Sequence, residues 1–511
     1  MNLDLANGRD LVLALLPELI LSVWAMLLLL HAAWRHKEPD AQRQVGWLSL
    51  VGIIIAAGSV MWLWASGARI EGIATSVAVD KWRWAGSLIV LIGTGLTTVL
   101  AIGYLDREDL RIPEFHVMVL FAAIGMLFLV SGSDLFVIFL GLELMSVSVY
   151  VLAGINRRSI VSAEAALKYF LLGAFASAFF LYGIALVYGA TGSTKLQVIT
   201  FQAPVTTGSA QLMLLAGIAM LCIGFGFKVA AVPFHQWAPD VYDGAPTPVT
   251  AFMAATVKAA AFGAFVRVML QALGLVHQDW DQVIWWLAAA TMVVGNLIAL
   301  AQRSVKRMLA YSSVAHAGYL LTGLVPGSAA GAAASLFYLL FYTVVTVAAF
   351  SVLIAKGRQG EREVTFDDLA GLAQSDRLLA FVMAVSMLSL LGFPGTAGFM
   401  GKWYILTSAT GGGYPMLAAL LVITSVVSAG YYLPIIMAMY MKSRAHERAH
   451  EGVQLPGVVR GMLVAATAII LVFGVWPNRA LDLAREGSHS FMPSRIVPLA
   501  TPLAAPLSPH R

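Results

Sequence analysis

Five charged side chains interrupt long apolar stretches of this sequence: Glu143, Lys168, Lys228, Lys258 and Lys402. A charge at the centre of a lipid bilayer costs several kcal/mol, about 2.5–3.5 kcal/mol on the more lenient scale. If these stretches cross a membrane, the five side chains must face the protein interior, pair with one another or line water. Because burial disfavours the charged form of both lysines and carboxylic acids, such groups can exchange protons. The sequence therefore predicts a proton pathway.

Glu143 lies about eight residues into its apolar stretch and is the predicted partner of Lys228, with which it would titrate as a pair. His316, in another stretch, is either a further proton site or a hydrogen-bonded structural histidine. Lys168 lies near the start of its stretch. It is a third pathway residue, an anchor at the membrane surface, or the partner of Glu164 four residues earlier on the same helix.

The segment "KVAAVPFHQWAPD" places a helix break five residues after Lys228, at Pro233. Proline cannot donate a backbone hydrogen bond, and free backbone groups inside a membrane must be satisfied by protein or by a water-filled cavity. His235, Gln236 and Asp240 follow the break and could hold such water. We expect the break to bring water to Lys228; a simple proline kink is the alternative.

The single cysteine, Cys222, lies in an apolar stretch and is predicted to be a buried, inert thiol. One cysteine cannot form a disulfide within the chain, and a single thiolate argues against a thiolate metal site. The sequence contains no haem, iron–sulfur or Gly-rich phosphate-binding pattern. We therefore expect this chain to bind no metal and to carry no electron carrier. Asp134, at the start of the stretch that holds Glu143, is either a helix cap or a residue of the access path.

The elements that must position these residues are membrane-spanning helices. Of the 511 residues, 59% are hydrophobic and only 12% are charged, and apolar runs of membrane-spanning length recur along the whole chain. We predict an all-α polytopic membrane protein with spans near 11–34, 45–66, 84–104, 115–131, 135–155, 161–189, 210–232, 247–271, 283–301, 307–325, 331–355, 378–409, 415–441 and 459–476. The remaining tail is rich in Pro, Ser and Ala and is expected to be loosely ordered.

The loop charges predict the orientation of these fourteen spans. Most loop lysines and arginines follow odd-numbered spans, which places those loops in the cytoplasm and both termini on the other side. The N-terminus lacks a basic region before its first apolar run, so no cleaved signal peptide is predicted. The basic residues lie in short loops between spans, and the net charge of +5 does not indicate nucleic-acid binding.

An internal repeat is also visible. Span 7 combines Lys228 with the break at Pro233, and span 12 combines Lys402 with a break at Pro394 and Gly395. Because the two spans are five apart, an odd number, the second copy is inverted in the membrane. Inverted repeats with broken helices are typical of transporters, whose sites lie near the membrane midplane.

Three segments resemble one known family. The residues "KVAAVPFHQWAPDVYDGAPTPVTAFMAATVKAA" (228–260), "RSVKRMLAYSSVAHAGYLLTGL" (303–324) and the segment around Glu143 are similar to the antiporter-like subunits of respiratory complex I. The resemblance covers essentially the whole chain. The chain is most similar to the subunit N branch, because it has no long lateral helix at its end and because span 12 carries Lys402 where the subunit M branch has a glutamate.

The resemblance implies two inverted five-helix bundles, spans 4–8 and 9–13, and hence four regions: flanking helices at 1–111, repeats at 112–275 and 276–445, and a last span with its tail at 446–511. It implies a proton-translocating subunit of an NADH–quinone oxidoreductase in the bacterial inner membrane. By resemblance, Glu143 and Lys228 are the Glu–Lys pair, Lys258 is the central connecting lysine and Lys402 faces the exit half-channel. Lys168 and His316 correspond to other polar groups between them.

The same resemblance assigns NADH, FMN, iron–sulfur clusters and quinone to partner subunits, and it implies contacts with subunits M, K and J and with lipid. Three alternatives remain from the sequence: a subunit of a multi-subunit Mrp-type cation/proton antiporter, a subunit of a membrane-bound hydrogenase, and a structural scaffold. Association with a redox arm would distinguish the first alternative from complex I, and the buried lysines argue against a scaffold.

Overall fold

A computed structural model of the chain describes residues 1–35, 38, 40–70, 75–357, 364–443 and 456–491. The first helices are α1 (Gly8–Ala14), α2 (Leu16–Trp34), α3 (Ala41–Ala65), α4 (Lys81–Arg107), α5 (Glu114–Ser131), α6 (Leu135–Ala153), α7 (Ile160–Thr191) and α8 (Leu196–Gln202). The next are α9 (Ser209–Val229), α10 (Trp237–Gly244), α11 (Thr247–Phe252), α12 (Lys258–Arg267), α13 (Asp281–Leu300), α14 (Val305–Leu324) and α15 (Ala329–Lys356). The last are α16 (Leu372–Ser375), α17 (Arg377–Leu391), α18 (Ala397–Gly411), α19 (Pro415–Met441), α20 (Gly457–Val475) and α21 (Asn478–Phe491).

Smaller elements complete the described chain. Two π-helical segments, Met253–Val257 and Val268–Ala272, flank α12. Short 3-10 helices lie at Ala203–Val205, Gly274–Asp279 and Asp367–Leu369. The two-residue strands β1 (Asn2–Leu3) and β2 (Arg69–Ile70) pair in parallel. The described residues are therefore overwhelmingly helical, as predicted.

The described residues contain 12 helical segments that are long and apolar enough to cross a membrane, judged by length and composition alone. The two remaining predicted spans coincide with α14 and with the broken pair α17 and α18. α14 is long enough but carries polar residues along its length, which is tolerated because most of its residues are buried within the protein. The prediction of an all-α polytopic membrane protein is confirmed.

The predicted orientation stays a prediction. Part of the loop charge on which it depends lies outside the described residues, namely Lys37, Arg358, Arg362, Arg444 and Arg448.

Glycines allow some helices to cross at close range. A Cβ atom added at Gly125 of α5 would lie 2.4 Å from the backbone nitrogen of Met145 in α6. At Gly295 of α13, it would lie 2.7 Å from the backbone nitrogen of Ala315 in α14. Glycines of this kind let membrane helices approach closely enough for van der Waals packing to hold them together.

The two predicted repeats show the same order of packing. α5 packs on α6 and α12, as α13 packs on α14 and α19. α7 packs on α9, as α15 packs on α17 and α18. This correspondence favours the repeat, whose exact boundaries and inversion remain a prediction.

Both predicted helix breaks are present. α9 ends at Val229, where Ala230 adopts a left-handed conformation with φ 59°, and the chain turns before α10 begins at Trp237. α17 ends at Leu391, and the turn to α18 uses positive φ angles at Gly392 (87°) and Gly395 (88°), conformations that suit glycine. Helix α9 therefore ends four residues before Pro233, where the sequence predicted its end.

The prediction of a loosely ordered tail from residue 478 is wrong for its first part. Residues Asn478–Phe491 form α21, which packs on α4 and α15. Its buried residues Leu481, Ala484, Ser488 and Phe491 recur every three or four positions, which is the pattern of an amphipathic helix. The composition of the whole tail concealed this periodicity. Residues 492–511 lie outside the described part of the chain.

Candidate functional site

Glu143 and Lys228 belong to one cluster between α6, α7 and α9. Glu143 accepts a hydrogen bond from the hydroxyl of Ser177 in α7. The ammonium of Lys228, which is 3% exposed, donates to the hydroxyls of Ser146 (2.7 Å) and Tyr150 (3.2 Å) in α6. Within the part of the chain that the structure describes, no carboxylate lies within 4.0 Å of this ammonium. The predicted pair is therefore close but not in direct contact.

The break after Lys228 is closed by protein groups. The indole nitrogen of Trp237 donates to the carbonyl of Phe227 (2.9 Å), and the amide of Val232 donates to the Thr291 hydroxyl (2.9 Å). These bonds satisfy backbone groups that the end of the helix leaves free. Pro233 lies in the turn and is exposed at the surface of the single chain. The water expected at this break remains a prediction.

Lys168 and Asp240 lie elsewhere. Lys168 pairs with Glu164 (2.8 Å) and Asp240 (3.0 Å), and Asp240 also pairs with Arg307 (3.0 Å). The side chain of Lys168 is 43% exposed in the single chain. The structure thus does not bring Lys168 to the buried lysines, because its pairing with Glu164 one helical turn away keeps it at the surface. His235 is half-buried in the turn that precedes this ion-pair cluster.

Lys258 is held in the centre of the protein. Every residue of the segment 247–272 that carries it is buried, and its ammonium donates to both the carbonyl and the hydroxyl of Ser313 in α14. The π-helical segment Met253–Val257 ends immediately before it. π-Helical turns often mark functional positions, and this one was not predicted from the sequence.

His316 lies one helical turn from Ser313. Its two ring nitrogens are hydrogen-bonded with the hydroxyls of Tyr338 and of Tyr432, the latter at 3.1 Å. Tyr432 is also hydrogen-bonded with Ser312. His316 is therefore fully hydrogen-bonded, as a structural histidine would be, and it also connects α14, α15 and α19.

Lys402 spans the second break. Its ammonium donates to the carbonyls of Leu390 (2.9 Å) and Leu391 (3.0 Å), at the end of α17, and to the Ser425 hydroxyl (3.1 Å). It also lies 4.5 Å from the ring centroid of Tyr319. A cation suits this place because the free carbonyls at a helix C-terminus carry partial negative charge. Pro394 lies exposed in the turn that the lysine spans.

Aromatic rings connect these groups. Tyr319 contacts both Lys402 and His316, with ring centroids of His316 and Tyr319 5.2 Å apart. Between the Lys228 cluster and α14, the ring of Trp237 stacks on Tyr169 at 4.5 Å and meets Tyr242 at 5.6 Å. Aromatic side chains therefore lie between the Lys228 cluster and α14.

A second charged network was not predicted from the sequence. Arg83, which precedes the predicted span 84–104, is buried in α4 and donates to both carboxylate oxygens of Glu18 (2.7 and 2.9 Å). Asp80 caps α4 and binds Arg267 through two hydrogen bonds (2.7 and 2.8 Å). Burial alone would raise the pKa of Asp80, but the charge and hydrogen bonds of Arg267 outweigh it and hold this pKa below its usual range. The network joins the N-terminal helices to α12.

Two remaining predictions concern single residues. Asp134 caps α6 by accepting a hydrogen bond from the amide of Phe136 (2.8 Å), which supports the capping alternative. Cys222 is a buried free thiol. Among the residues that the structure describes, no group of three or more His, Cys, Asp or Glu side chains could hold a metal ion.

The sequence missed the hydroxyl groups that bind the buried cations. Ser146 and Tyr150 lie three and seven residues after Glu143, and therefore on its face of α6. Hydroxyl residues at helical spacing from an intramembrane carboxylate are the signal that could have identified them. Ser313, Tyr338 and Tyr432 carried no such local signal, because they meet their partners only through tertiary packing.

The fold and the site together define a class of protein. Membrane-spanning helices enclose buried lysines, and two helices are broken beside two of these lysines. Ionisable groups buried within the membrane mark the pathways of ions and protons, and broken helices mark transporter sites. The chain is thus a polytopic membrane protein of the ion- or proton-translocating class.

The chain belongs to the family described as "NADH:quinone oxidoreductase/Mrp antiporter, TM", whose model matches residues 132–428. It is 46% identical over 508 residues to NADH-quinone oxidoreductase subunit N of Gemmatimonas aurantiaca, with 96% of each chain covered. It is 44% identical over 472 residues to the subunit N of Trichlorobacter lovleyi, covering 92% of this chain and 96% of that one.

Solved structures agree with this assignment. A chain of respiratory complex I from Thermus thermophilus with bound aureothin has a TM-score of 0.77 and 38% identity, covering 92% of this chain and 99% of that one. A chain of the Mrp complex from Dietzia has a TM-score of 0.81 but only 20% identity, covering 93% of this chain and 97% of that one. The second similarity shows the fold alone.

Proposed function

We propose that this chain is a proton-translocating membrane-arm subunit of an NADH–quinone oxidoreductase. The observation that carries the proposal is the presence, in a chain of this family, of three lysines that are almost fully buried in membrane helices. Lys228, Lys258 and Lys402 are 3%, 1% and 5% exposed. Each ammonium is bonded to uncharged oxygen atoms, so each can lose its proton without leaving a carboxylate unpaired.

The proton moves along these groups from Lys228 to Lys258, then to His316 and Lys402. Glu143 and Lys228 form the first site. A charge change in a neighbouring subunit, when quinone is reduced, controls the transfer of the proton between them. The proton passes next to Lys258 and Ser313, and then to His316 and its two tyrosines. Lys402 releases it. Because each site changes the affinity of the next for a proton, the coupling is reciprocal.

The rest of the reaction takes place in other subunits. NADH, FMN, the iron–sulfur clusters and quinone bind to partners, and this chain contacts the membrane-arm subunits M, K and J. It lies in the bacterial inner membrane with both termini on the non-cytoplasmic side. The excess of basic residues in loops that follow odd-numbered spans supports this orientation.

Purification tests the assembly. The tagged chain, extracted in mild detergent, should bring with it bound flavin, iron–sulfur signals and NADH:quinone activity. Recovery of other antiporter-like membrane subunits without any redox centre would instead establish an Mrp-type antiporter, and Na⁺/H⁺ exchange would then be measured.

Substitution tests the pathway. We expect Lys228→Ala to abolish most NADH-driven proton pumping in inverted membrane vesicles and to slow NADH oxidation with it. Lys442→Ala is the matched control, because Lys442 is exposed and pairs with Asp367. Unchanged pumping in the Lys228→Ala variant, in a fully assembled complex, would contradict the proposed pathway.

A further inference from the structure

Three acceptor side chains follow one another along a single face of α6. Glu143, Ser146 and Tyr150 are separated by three and four residues, so they lie one above another on the helix surface. Lys228, on the facing helix α9, donates to the second and third of them at 2.7 and 3.2 Å. Its flexible side chain therefore meets a row of oxygens with a carboxylate at one end.

The hydroxyl end of this row is built to hold a cation. The Ser146 hydroxyl donates its own proton to the carbonyl of Leu142, which leaves its lone pairs for the lysine. The ring centroids of Tyr150, Phe227 and Tyr169 lie 5.3, 5.5 and 5.6 Å from the ammonium. Aromatic faces at this distance attract a cation, most strongly where water is excluded.

The carboxylate end has a partner of its own. Ser177 of α7 donates to Glu143, so the carboxylate is not left bare when the lysine is bonded elsewhere. Both members of the Glu–Lys pair therefore have an uncharged hydrogen-bond partner in the separated arrangement, and neither pays the full cost of an unpaired buried charge.

We propose that Ser146 and Tyr150 form a second acceptor site for the Lys228 ammonium, which competes with Glu143 for it. This inference rests on the proposed function and deepens it. The ammonium moves by about one helical turn between the carboxylate and the hydroxyl pair. Ser146 and Tyr150 are positioning residues: they determine how long Lys228 stays apart from Glu143.

Gly173 of α7 makes the site possible. A Cβ atom at position 173 would lie 2.0 Å from the Tyr150 hydroxyl oxygen and 2.7 Å from the ring carbon that bears it. The absence of a side chain there lets the tyrosine hydroxyl lie next to the lysine. Gly173→Ala should displace the hydroxyl while every hydrogen-bonding group is retained.

The test is the pH dependence of NADH-driven proton pumping in inverted vesicles that carry the assembled complex. The titratable groups near the ammonium are Glu143 and Tyr150 from α6 and Tyr169 from α7. Ser146→Ala and Tyr150→Phe each remove one hydrogen-bond acceptor of Lys228, a loss that destabilises its charged form more than its neutral form. In these variants, we expect the decline of the pumping rate at high pH to begin about one pH unit lower. A hydrogen bond stabilises a charged group by an energy that corresponds to about one pH unit.

Matched controls separate this role from a structural one. Ser148→Ala removes a hydroxyl from the same helix that is likewise bonded to a carbonyl four residues earlier, but that does not contact the lysine. Tyr182→Phe removes an exposed hydroxyl from α7. Both controls should show the same pH dependence of pumping as the unchanged chain. Ser146→Thr, which keeps the hydroxyl, should also show that pH dependence.

Two results would overturn the second site. One is a pumping curve in Ser146→Ala and Tyr150→Phe that coincides with that of the unchanged chain. The other is a lower rate at every pH with no shift, which would indicate a structural role only. If the Lys228→Ala variant pumps normally, the proposed function itself fails. If Lys228→Ala pumps poorly while Ser146→Ala and Tyr150→Phe pump normally, only the second site fails. Gly173→Ala gives an independent check wherever the complex assembles.

Discussion

The two helix breaks carry the same residue types but use their lysines in opposite ways. Lys228 lies in the last turn before its break and points away from it, to hydroxyls on α6. Lys402 lies after its break and reaches back to the carbonyls of Leu390 and Leu391. A protonated Lys402 therefore stabilises the end of α17, whereas the end of α9 is stabilised by Trp237 whatever the charge of Lys228. In the proposed pathway, loss of the proton from Lys402 would therefore affect the local structure of its break, whereas loss of the proton from Lys228 would not.

Lys402→Met should have the largest effect on this difference. It leaves two carbonyls without their donor, and each buried acceptor without a partner costs about 1–3 kcal/mol. We expect local opening at residues 388–396 to become easier by about 2–4 kcal/mol. Hydrogen–deuterium exchange of the purified complex measures it, and Lys228→Met should leave exchange at residues 226–232 unchanged. Equal effects at both breaks would remove the distinction.

Gly395→Ala should come next. The residue has φ 88° and open space around it, so an alanine there meets only backbone strain, of about 1–2 kcal/mol. Faster exchange across the α17–α18 turn is the expected result. Gly411→Ala is the matched control, because that position also has open space but no positive φ; an equal response from both variants would argue against strain.

Trp237→Phe tests the closure of the first break. The ring is retained and the indole donor to Phe227 is lost, which should destabilise the end of α9 by about 1 kcal/mol. Exchange at residues 227–231 should rise while exchange at the second break stays constant. No change at the first break would mean that another group satisfies the Phe227 carbonyl.

Ala230→Gly should have the smallest effect. Glycine relieves the left-handed strain at φ 59° but loses more conformational entropy on folding. Because these two effects oppose each other, the free energy of unfolding should change by no more than about 0.5 kcal/mol. Thermal stability of the assembled complex should barely move. A large loss would show that the alanine methyl group contributes packing at this turn.

The sequence predicts the architecture well and the partners of the site poorly. Long apolar runs predict spans, and Pro394 with its glycines predicts a turn, because these signals are local. Lys228, Lys258 and Lys402 stand out because a charge within an apolar run is costly. Their acceptors were harder to identify: the spacing from Glu143 could have indicated Ser146, but Ser313 lies far from Lys258 in the chain, and nothing local selects it over other hydroxyls. For Lys168, the spacing predicted the pair with Glu164, which is present, but it gave no indication of Asp240, which comes from another helix.

The π-helical segment Met253–Val257 has a consequence for how related chains are aligned. It contains one residue more per turn than an α-helix, so residues after it are rotated by about 100° relative to an uninterrupted helix. A helical wheel drawn through residues 247–267 would therefore direct Lys258 to the wrong neighbour. Deleting a single residue from this segment should restore a regular helix and keep the lysine directed at Ser313, because the deletion removes the one extra residue that the π-helical turn accommodates.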